Sequence, residues 1–234
     1  DKSEYFPALS RVVTDDPEKL LNKVANDYKV LATALVEEIE SAKTEVVVIT
    51  PYFIPGKNGV KFWRSITDKG VRVVIFTNSL ASNNHTPVHS GYARYRHDMI
   101  DAGVELYEIR VDSSSVPEGG DQQGYDAVTL HTKALAIDRR LTFVGSLNLD
   151  PRSIDINTEM GVLIDNAELT SMMVEAFLDG LPNLAYRVSE NDKGKLRWTA
   201  QVDGETVVET KEPQTSAWKR FKAFIMRIVP EGQL

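Results

Sequence analysis

Residues 130–165 read LHTKALAIDRRLTFVGSLNLDPRSIDINTEMGVLID. Polar residues recur there at offsets of two on otherwise apolar runs: His131 with Lys133, Ser146 with Asn148, and Asn157 with Glu159. Successive side chains of a strand point to opposite faces, so residues two apart share one. Read as strands, the stretch divides into 128–138, 141–146 and 157–165, with Arg139-Arg140 as a tight hairpin connection between the first two. If these strands are neighbours, three polar pairs converge on one pocket in an apolar sheet. Asp138 lies seven residues from His131 and in an unbroken strand faces the other way.

Such a pocket suits a phosphodiester. Histidine as a residue type can attack phosphorus or protonate a leaving oxygen near neutral pH. Lys133 offers a positive charge to the non-bridging oxygens, and Ser146 and Asn148 offer hydrogen bonds to them. Glu159 could accept from the far imidazole nitrogen and so fix its tautomer. This chemistry requires no metal. A lone lysine on an apolar strand would be costly to bury, so its company here points to a site rather than to core packing.

Outward from this stretch, helices and strands alternate. Leu31, Leu35, Val36 and Ile39 have helical spacing, with Glu37, Glu38 and Glu40 outside. Residues 45–50 and 71–77 are β-branched runs that read as buried strands, and 104–109 as a third. Residues 58–69 and 88–102 read as helices stopped by Gly70 and Gly103. This order predicts βαβ units in an α/β fold, with a mixed, mostly parallel sheet flanked by helices on both faces. Residues 111–127 form a Ser/Gly/Asp-rich loop, 167–180 a helix, and 194–210 a hairpin turning at Asp203-Gly204. The expected organisation is a main domain over 1–190 and a C-terminal hairpin and helix over 191–234.

The chain has 234 residues, 42% of them hydrophobic, which suffices for one sizeable core. It has no cysteine, which excludes disulfides and thiolate metal sites. Its net charge of −7 disfavours a non-specific nucleic-acid binder. No run of 18 apolar residues is present, so the chain contains no candidate transmembrane helix.

His131-x-Lys133-x₄-Asp138, followed by Gly145-Ser146-x-Asn148 and Asn157-x-Glu159, resembles the HKD motif of the phospholipase D superfamily. TPYFIPG (50–56), TNSLASNN (77–84), VHSGYARYR (88–96), AGVELYEI (102–109), GSLNLDPRSIDINTEMG (145–161) and EPQTSAWKR (212–220) are similar to one branch, the bacterial cardiolipin synthases of the C type. The resemblance runs from about Asp15 to the C-terminus. It implies a two-step phosphatidyl transfer without metal or other cofactor. One histidine forms a phosphohistidine, and a second, from another HKD motif, protonates the departing alcohol and activates the acceptor. The acceptor would be phosphatidylglycerol and the donor phosphatidylethanolamine, at the cytoplasmic face of the bacterial inner membrane. It also implies a catalytic set of His131, Lys133, Asp138, Asn148 and Glu159. Family enzymes carry two HKD motifs and this chain carries one: His85, His89 and His97 are not followed by lysine two residues on. The chain looks like the C-terminal half of a two-motif protein. The missing histidine would come from that absent half or from a second copy of the chain, as in single-motif nucleases or phosphodiesterases of the superfamily.

Residues around the motif add candidates for substrate binding. Tyr52 and Asn78 follow strand ends, where ligands of open α/β sheets bind. His89, in the first turn of its helix, joins them, with Ser146 and Asn157. Residues 216–228 (SAWKRFKAFIMRI) put Trp218, Phe221, Ile225 and Ile228 on one helical face, beside Lys219, Arg220, Lys222 and Arg227. A basic amphipathic helix with aromatic residues reads as an anchor on anionic lipid.

Overall fold

The β-branched runs supply the middle of one sheet in the computed structural model, which describes residues 5–20, 30–83, 85–112 and 129–228. Most of the loop expected at 111–127 lies outside these residues. The strands are β1 (Leu9–Thr14), β2 (Glu45–Ile49), β3 (Arg72–Thr77), β4 (Glu105–Ile109), β5 (Ala134–Ile137), β6 (Leu141–Gly145), β7 (Met160–Asp165), β8 (Ala185–Glu190), β9 (Leu196–Val202) and β10 (Glu205–Glu209). They form one ten-stranded sheet in the order β1-β7-β6-β5-β2-β3-β4-β8-β9-β10. The helices are α1 (Val30–Ser41), α2 (Gly56–Thr67), α3 (Thr86–Ala93), α4 (Arg96–Asp101), α5 (Pro151–Asp155), α6 (Ala167–Leu184) and α7 (Ala217–Met226).

The sheet is mostly antiparallel, which corrects the expectation of a mostly parallel one. Only β2–β3 and β3–β4 run parallel. A parallel neighbour needs a crossover of a dozen or more residues. Helical crossovers link β2 to β3 and β3 to β4, whereas β5, β6 and β7 meander through short connections and β8–β9–β10 follow as hairpins.

Alternation along the central strands builds two cores. Val46, Val48, Val73 and Ile75 pack with Leu31, Leu35 and Ile39 of α1, Trp63 and Ile66 of α2, and Met99 of α4. Val47, Val74, Phe76 and Ile109 pack with Val174 and Leu181 of α6. Helices therefore cover both faces, as expected. The hairpin β9–β10 turns at Asp203 (φ 51°) and Gly204 (φ 83°), the left-handed pair that an Asp-Gly hairpin turn uses. This hairpin, read from sequence as part of an appendage, continues the main sheet through β8, and α7 lies on α3.

Local differences have local causes. The helix expected over 88–102 breaks into α3 and α4 at Tyr95, whose φ of −101° and ψ of 2° leave the helical region. The strand expected over 128–138 contracts to β5. The strand expected from 157 starts at Met160, because α5 occupies the approach: Asp150 caps it, accepting from Ser153 N at 2.8 Å, and Pro151 opens its first turn. The strands β1 and β8 were not read from the sequence. Of the β1 residues only Val13 is buried, and β8 starts directly where α6 ends, without a turn signal.

Candidate functional site

The site forms where β2, β3 and β6 end and the lead-in to β5 begins. Asn78, just past β3, is buried and makes four hydrogen bonds. Its Nδ2 donates to Pro51 O and Leu130 O, both at 3.1 Å. Its Oδ1 accepts from Leu130 N at 3.0 Å and Ser82 Oγ at 2.9 Å. This clamp fastens the residue before His131 to the end of β2. The expectation that Asn78 binds substrate is corrected: with its capacity taken up, it positions the backbone.

His131 and Lys133 follow on the extended lead-in. Gly145 N donates to Lys133 O at 3.2 Å, which carries the β5–β6 ladder one residue further. The His131 ring is exposed. Lys133 is half-buried, and its ammonium donates to His131 O at 2.9 Å. Burial lowers its pKa, and the charges of Glu159 and Asp150 oppose that. Among the described residues, no carboxylate lies within ion-pair distance of this ammonium, so Glu159 and Asp150 act on it only from farther off.

Glu159 is buried and is held by the polar residues of the same stretch. Ser146 Oγ donates a short hydrogen bond to its Oε2, and Asn157 Nδ2 reaches its Oε1 at 3.4 Å. Two expectations change here. Among the described residues no hydrogen bond joins Glu159 to the His131 ring. Ser146 has its proton on Glu159, not on a prospective phosphate oxygen. Ser146 and Asn157 both meet Glu159, whose charge acts on Lys133.

Asn148 lies between the apolar Leu147 and Leu149. Its Nδ2 reaches Ser153 Oγ at 3.4 Å, and its Oδ1 is buried without a protein partner. A long donor bond and an orphaned acceptor leave this amide able to serve a ligand. Tyr52 is half-buried, its ring edge-on to His85 at 5.7 Å between centroids. Burial and the Asp150 charge both raise its pKa.

Two residues expected in the site lie elsewhere. Asp138 sits in the turn at the far end of β5, with φ 51°. Its carboxylate accepts from the amides of Lys43, Thr44 and Glu45 and from Thr44 Oγ1, at 2.8 to 3.1 Å. It anchors the start of β2 and takes no part in the constellation around Lys133. His89 is buried behind Tyr92, its Nε2 3.1 Å from Arg96 Nη2 and 3.6 Å from Glu212 Oε1. Its Nε2 belongs to an internal charge network with Arg96 and Glu212.

Sequence reading missed the supporting layer. Asp15, buried, accepts Glu159 N at 3.1 Å, Leu31 N at 3.0 Å and Lys19 Nζ at 2.5 Å. Lys19, buried with it, also donates to Ser153 O at 3.2 Å. This pair ties β1, α1 and α5 behind Glu159. No sequence signal could have found it, since the partners are 144 residues apart. Asp150 was legible in principle, because Asp-Pro-x-Ser is a helix-start pattern. Burial raises its pKa against the hydrogen bonds from Ser153, and the Glu159 charge adds to the rise.

The family described as "Cardiolipin synthase, PLD-like domain" matches residues 35–179. Cardiolipin synthase C of Escherichia coli is 35% identical over 226 residues, covering 95% of this chain and 47% of the relative. Cardiolipin synthase A of Pseudomonas syringae is 28% identical, covering 85% of this chain and 37% of the relative. The chain thus spans less than half the length of these relatives. Among solved structures, the phospholipase D family member Nuc from Salmonella typhimurium superposes with a TM-score of 0.55 at 18% identity, covering 77% of this chain and 98% of that one. Phosphatidylserine synthase from Haemophilus influenzae gives 0.53 at 16% identity, covering 77% of this chain and 39% of that one. These two likenesses concern the fold.

Proposed function

The chain belongs to the phospholipase D-like domain family of cardiolipin synthases, and from that premise we propose that it carries the C-terminal half-site of a phosphatidyl transfer that makes cardiolipin. The observation that carries the reading is the ammonium of Lys133, which makes no direct ion pair among the described residues and donates to the backbone carbonyl of the exposed His131. A phospholipid diester lies with its non-bridging oxygens toward Lys133 and Asn148 Nδ2. One imidazole attacks phosphorus and the headgroup alcohol leaves, taking a proton from the other imidazole. That second imidazole then accepts the proton of the phosphatidylglycerol hydroxyl as its oxygen displaces the phosphohistidine. His131 is one of the two imidazoles. The other comes from the remaining half of a two-motif parent or from a second copy. The donor is phosphatidylethanolamine. Glu159, held by Ser146 and Asp15, keeps negative charge near Lys133 and the reacting imidazole.

The enzyme works as a peripheral protein on the cytoplasmic face of the bacterial inner membrane. Among the described residues no helix is long and apolar enough to cross a membrane. The helix α7 supplies the contact. It docks on α3 through buried Ala223, whose carbonyl accepts from Ser90 Oγ at 2.8 Å. Trp218 (72% exposed), Phe224 (66%), Phe221, Ile225 and Ile228 are left outward. Lys219 Nζ donates to Ala81 O at 2.9 Å, in the segment that follows Asn78, so the anchor sits close to the clamp on Leu130. Each basic residue near an anionic surface adds about 1 kcal/mol.

The deciding experiment is cardiolipin formation from phosphatidylethanolamine and phosphatidylglycerol by the full-length parent. His131→Ala should lower turnover by roughly 10²- to 10⁴-fold, the range for loss of an acid or base. Turnover near the wild-type rate would overturn the assignment.

A further inference from the structure

We propose that the apolar cavity between α1, α2 and residues 147–155 holds a fatty acyl chain of the phospholipid whose phosphate lies against Lys133 and Asn148. This rests on the lipid-diester reading above and narrows it. The cavity has a volume of 430 Å³, within the roughly 300–1,000 Å³ typical of small-molecule sites. Its walls are side chains of α1, α2 and α5 together with Phe53, Leu147 and Leu149, and its polar lining residues are Asn58 and Asp155. An open space between apolar walls weakens packing, stays dry, and accepts apolar guests.

What identifies the guest is the register of the chain beside the cavity. In Ser146-Leu147-Asn148-Leu149-Asp150 the polar and apolar residues alternate. Ser146 holds Glu159, Asn148 offers its amide, and Asp150 acts on Lys133. Leu147 and Leu149 line the cavity. Leu135 of β5 also lines the cavity. Along this segment the cavity-lining Leu147 and Leu149 thus alternate with the polar Asn148 and Asp150, so the apolar chamber adjoins the anion site. The wall is preformed, since Phe53 bridges to Leu149 and Ile54 N donates to Leu149 O at 2.8 Å. A ligand that fits both sides has a phosphodiester joined by a few bonds to a long hydrocarbon. Phospholipids meet that description, and nucleic acids, with polar sugars and bases next to the diester, do not.

Trp63 lines the cavity and reports on it. The test uses the chain with Trp218→Phe, which removes the exposed indole. Trp198 does not line the cavity and remains as a constant background. The probe is a single-chain phosphatidylglycerol, brominated mid-chain and used below its micelle concentration. We expect saturable quenching relative to the unbrominated lipid. Ala32→Phe puts a ring into the cavity from α1 and should weaken binding at least tenfold with an unchanged melting temperature. Val36→Phe does the same from a position that is 40% exposed, where folding tolerates the change. No bromine-dependent quenching, or quenching indifferent to both substitutions, overturns the proposal. So does quenching that disappears in the full-length parent, which would mean that its other half fills the space. A brominated fatty alcohol separates the two readings. Binding as tight as the phospholipid's, and unaffected by Lys133→Ala, keeps the cavity as a chain site and removes the diester from beside it.

Discussion

Asp138 shows how a motif residue can serve a site without entering it. Burial alone would raise its pKa, but the amides of Thr44, Lys43 and Glu45 and the Thr44 hydroxyl overcome that and lower it. A depressed carboxylate stabilises the fold above its unfolded pKa, and that contribution is lost as pH falls through the folded one. Asp138→Asn should therefore cost about 1–2 kcal/mol at neutral pH, below the full range of charged hydrogen bonds because the turn is partly exposed. The difference from wild type should shrink as pH falls below the unfolded value of about 4 and through the lower folded one. Urea melts at the two pH values check this, and a difference independent of pH would contradict it. Glu159 is the converse case, a residue in the constellation itself. Glu159→Gln keeps the acceptor for Ser146 but loses the charge beside Lys133. It should lower cardiolipin formation in the parent by more than tenfold, within the range of acid–base and electrostatic effects. The melting temperature should stay within a few degrees; a large drop would make Glu159 structural.

Between strands, the pairing of β6 with β7 depends on two glycines. Gly145 and Gly161 stand opposite each other, and the Phe143 ring lies over both. A Cβ on either would collide with that ring. Gly161→Ala should destabilise by about 1–3 kcal/mol, the range for overpacking. Phe143→Leu in the same chain should recover part of the loss if the ring is the cause, and denaturant midpoints of the two variants decide it. The consequence for the site is direct, since Ser146 follows Gly145 and accepts Met160 N at 3.0 Å. The helices and central strands were legible because their apolar periods are long and unbroken. The elements that escaped, β1, β8 and α5, are short; β1 and β8 pair with strands distant in sequence, and α5 is a single capped turn.

At the scale of the molecule, a buried charge network holds the C-terminal part to the sheet. Arg96 is 1% exposed. It donates to Glu108 Oε1 at 2.7 Å and to Glu212 at 2.5 and 3.1 Å, and its guanidinium lies over Tyr92 and Trp198. Trp198 Nε1 donates to Glu108 Oε2 at 3.0 Å. Burial would raise the pKa of Glu212, but Arg96 and His89 hold it far below the usual carboxylate range. Glu212→Ala leaves Arg96 paired with Glu108 alone, its other buried donors unsatisfied, and should cost about 1–3 kcal/mol, readable in thermal melts. Glu212 sits just before α7, so the network also sets where the anchor projects. Trp218→Ser with Phe224→Ser removes exposed apolar surface only. It should weaken binding to anionic vesicles at low salt and leave the melting temperature unchanged. Unaltered vesicle binding would take the anchor away from α7.

By itself the sequence determined the alternation of elements, the two-faced central strands, the HKD pattern and the pairing of polar residues at offsets of two. These follow from local periods and from residue chemistry, which need no knowledge of distant partners. Only the tertiary structure decided that the sheet is mostly antiparallel and that Asn78 and Asp138 act as clamps. It alone decided that His89 lies in a charge network and that Asp15 and Lys19 stand behind Glu159. Each of these depends on which atoms a side chain meets across tens of residues. Hydrogen-bonding capacity is finite, so a polar residue with every donor and acceptor engaged within the fold cannot also serve a ligand. Residue type alone does not say which residues those are.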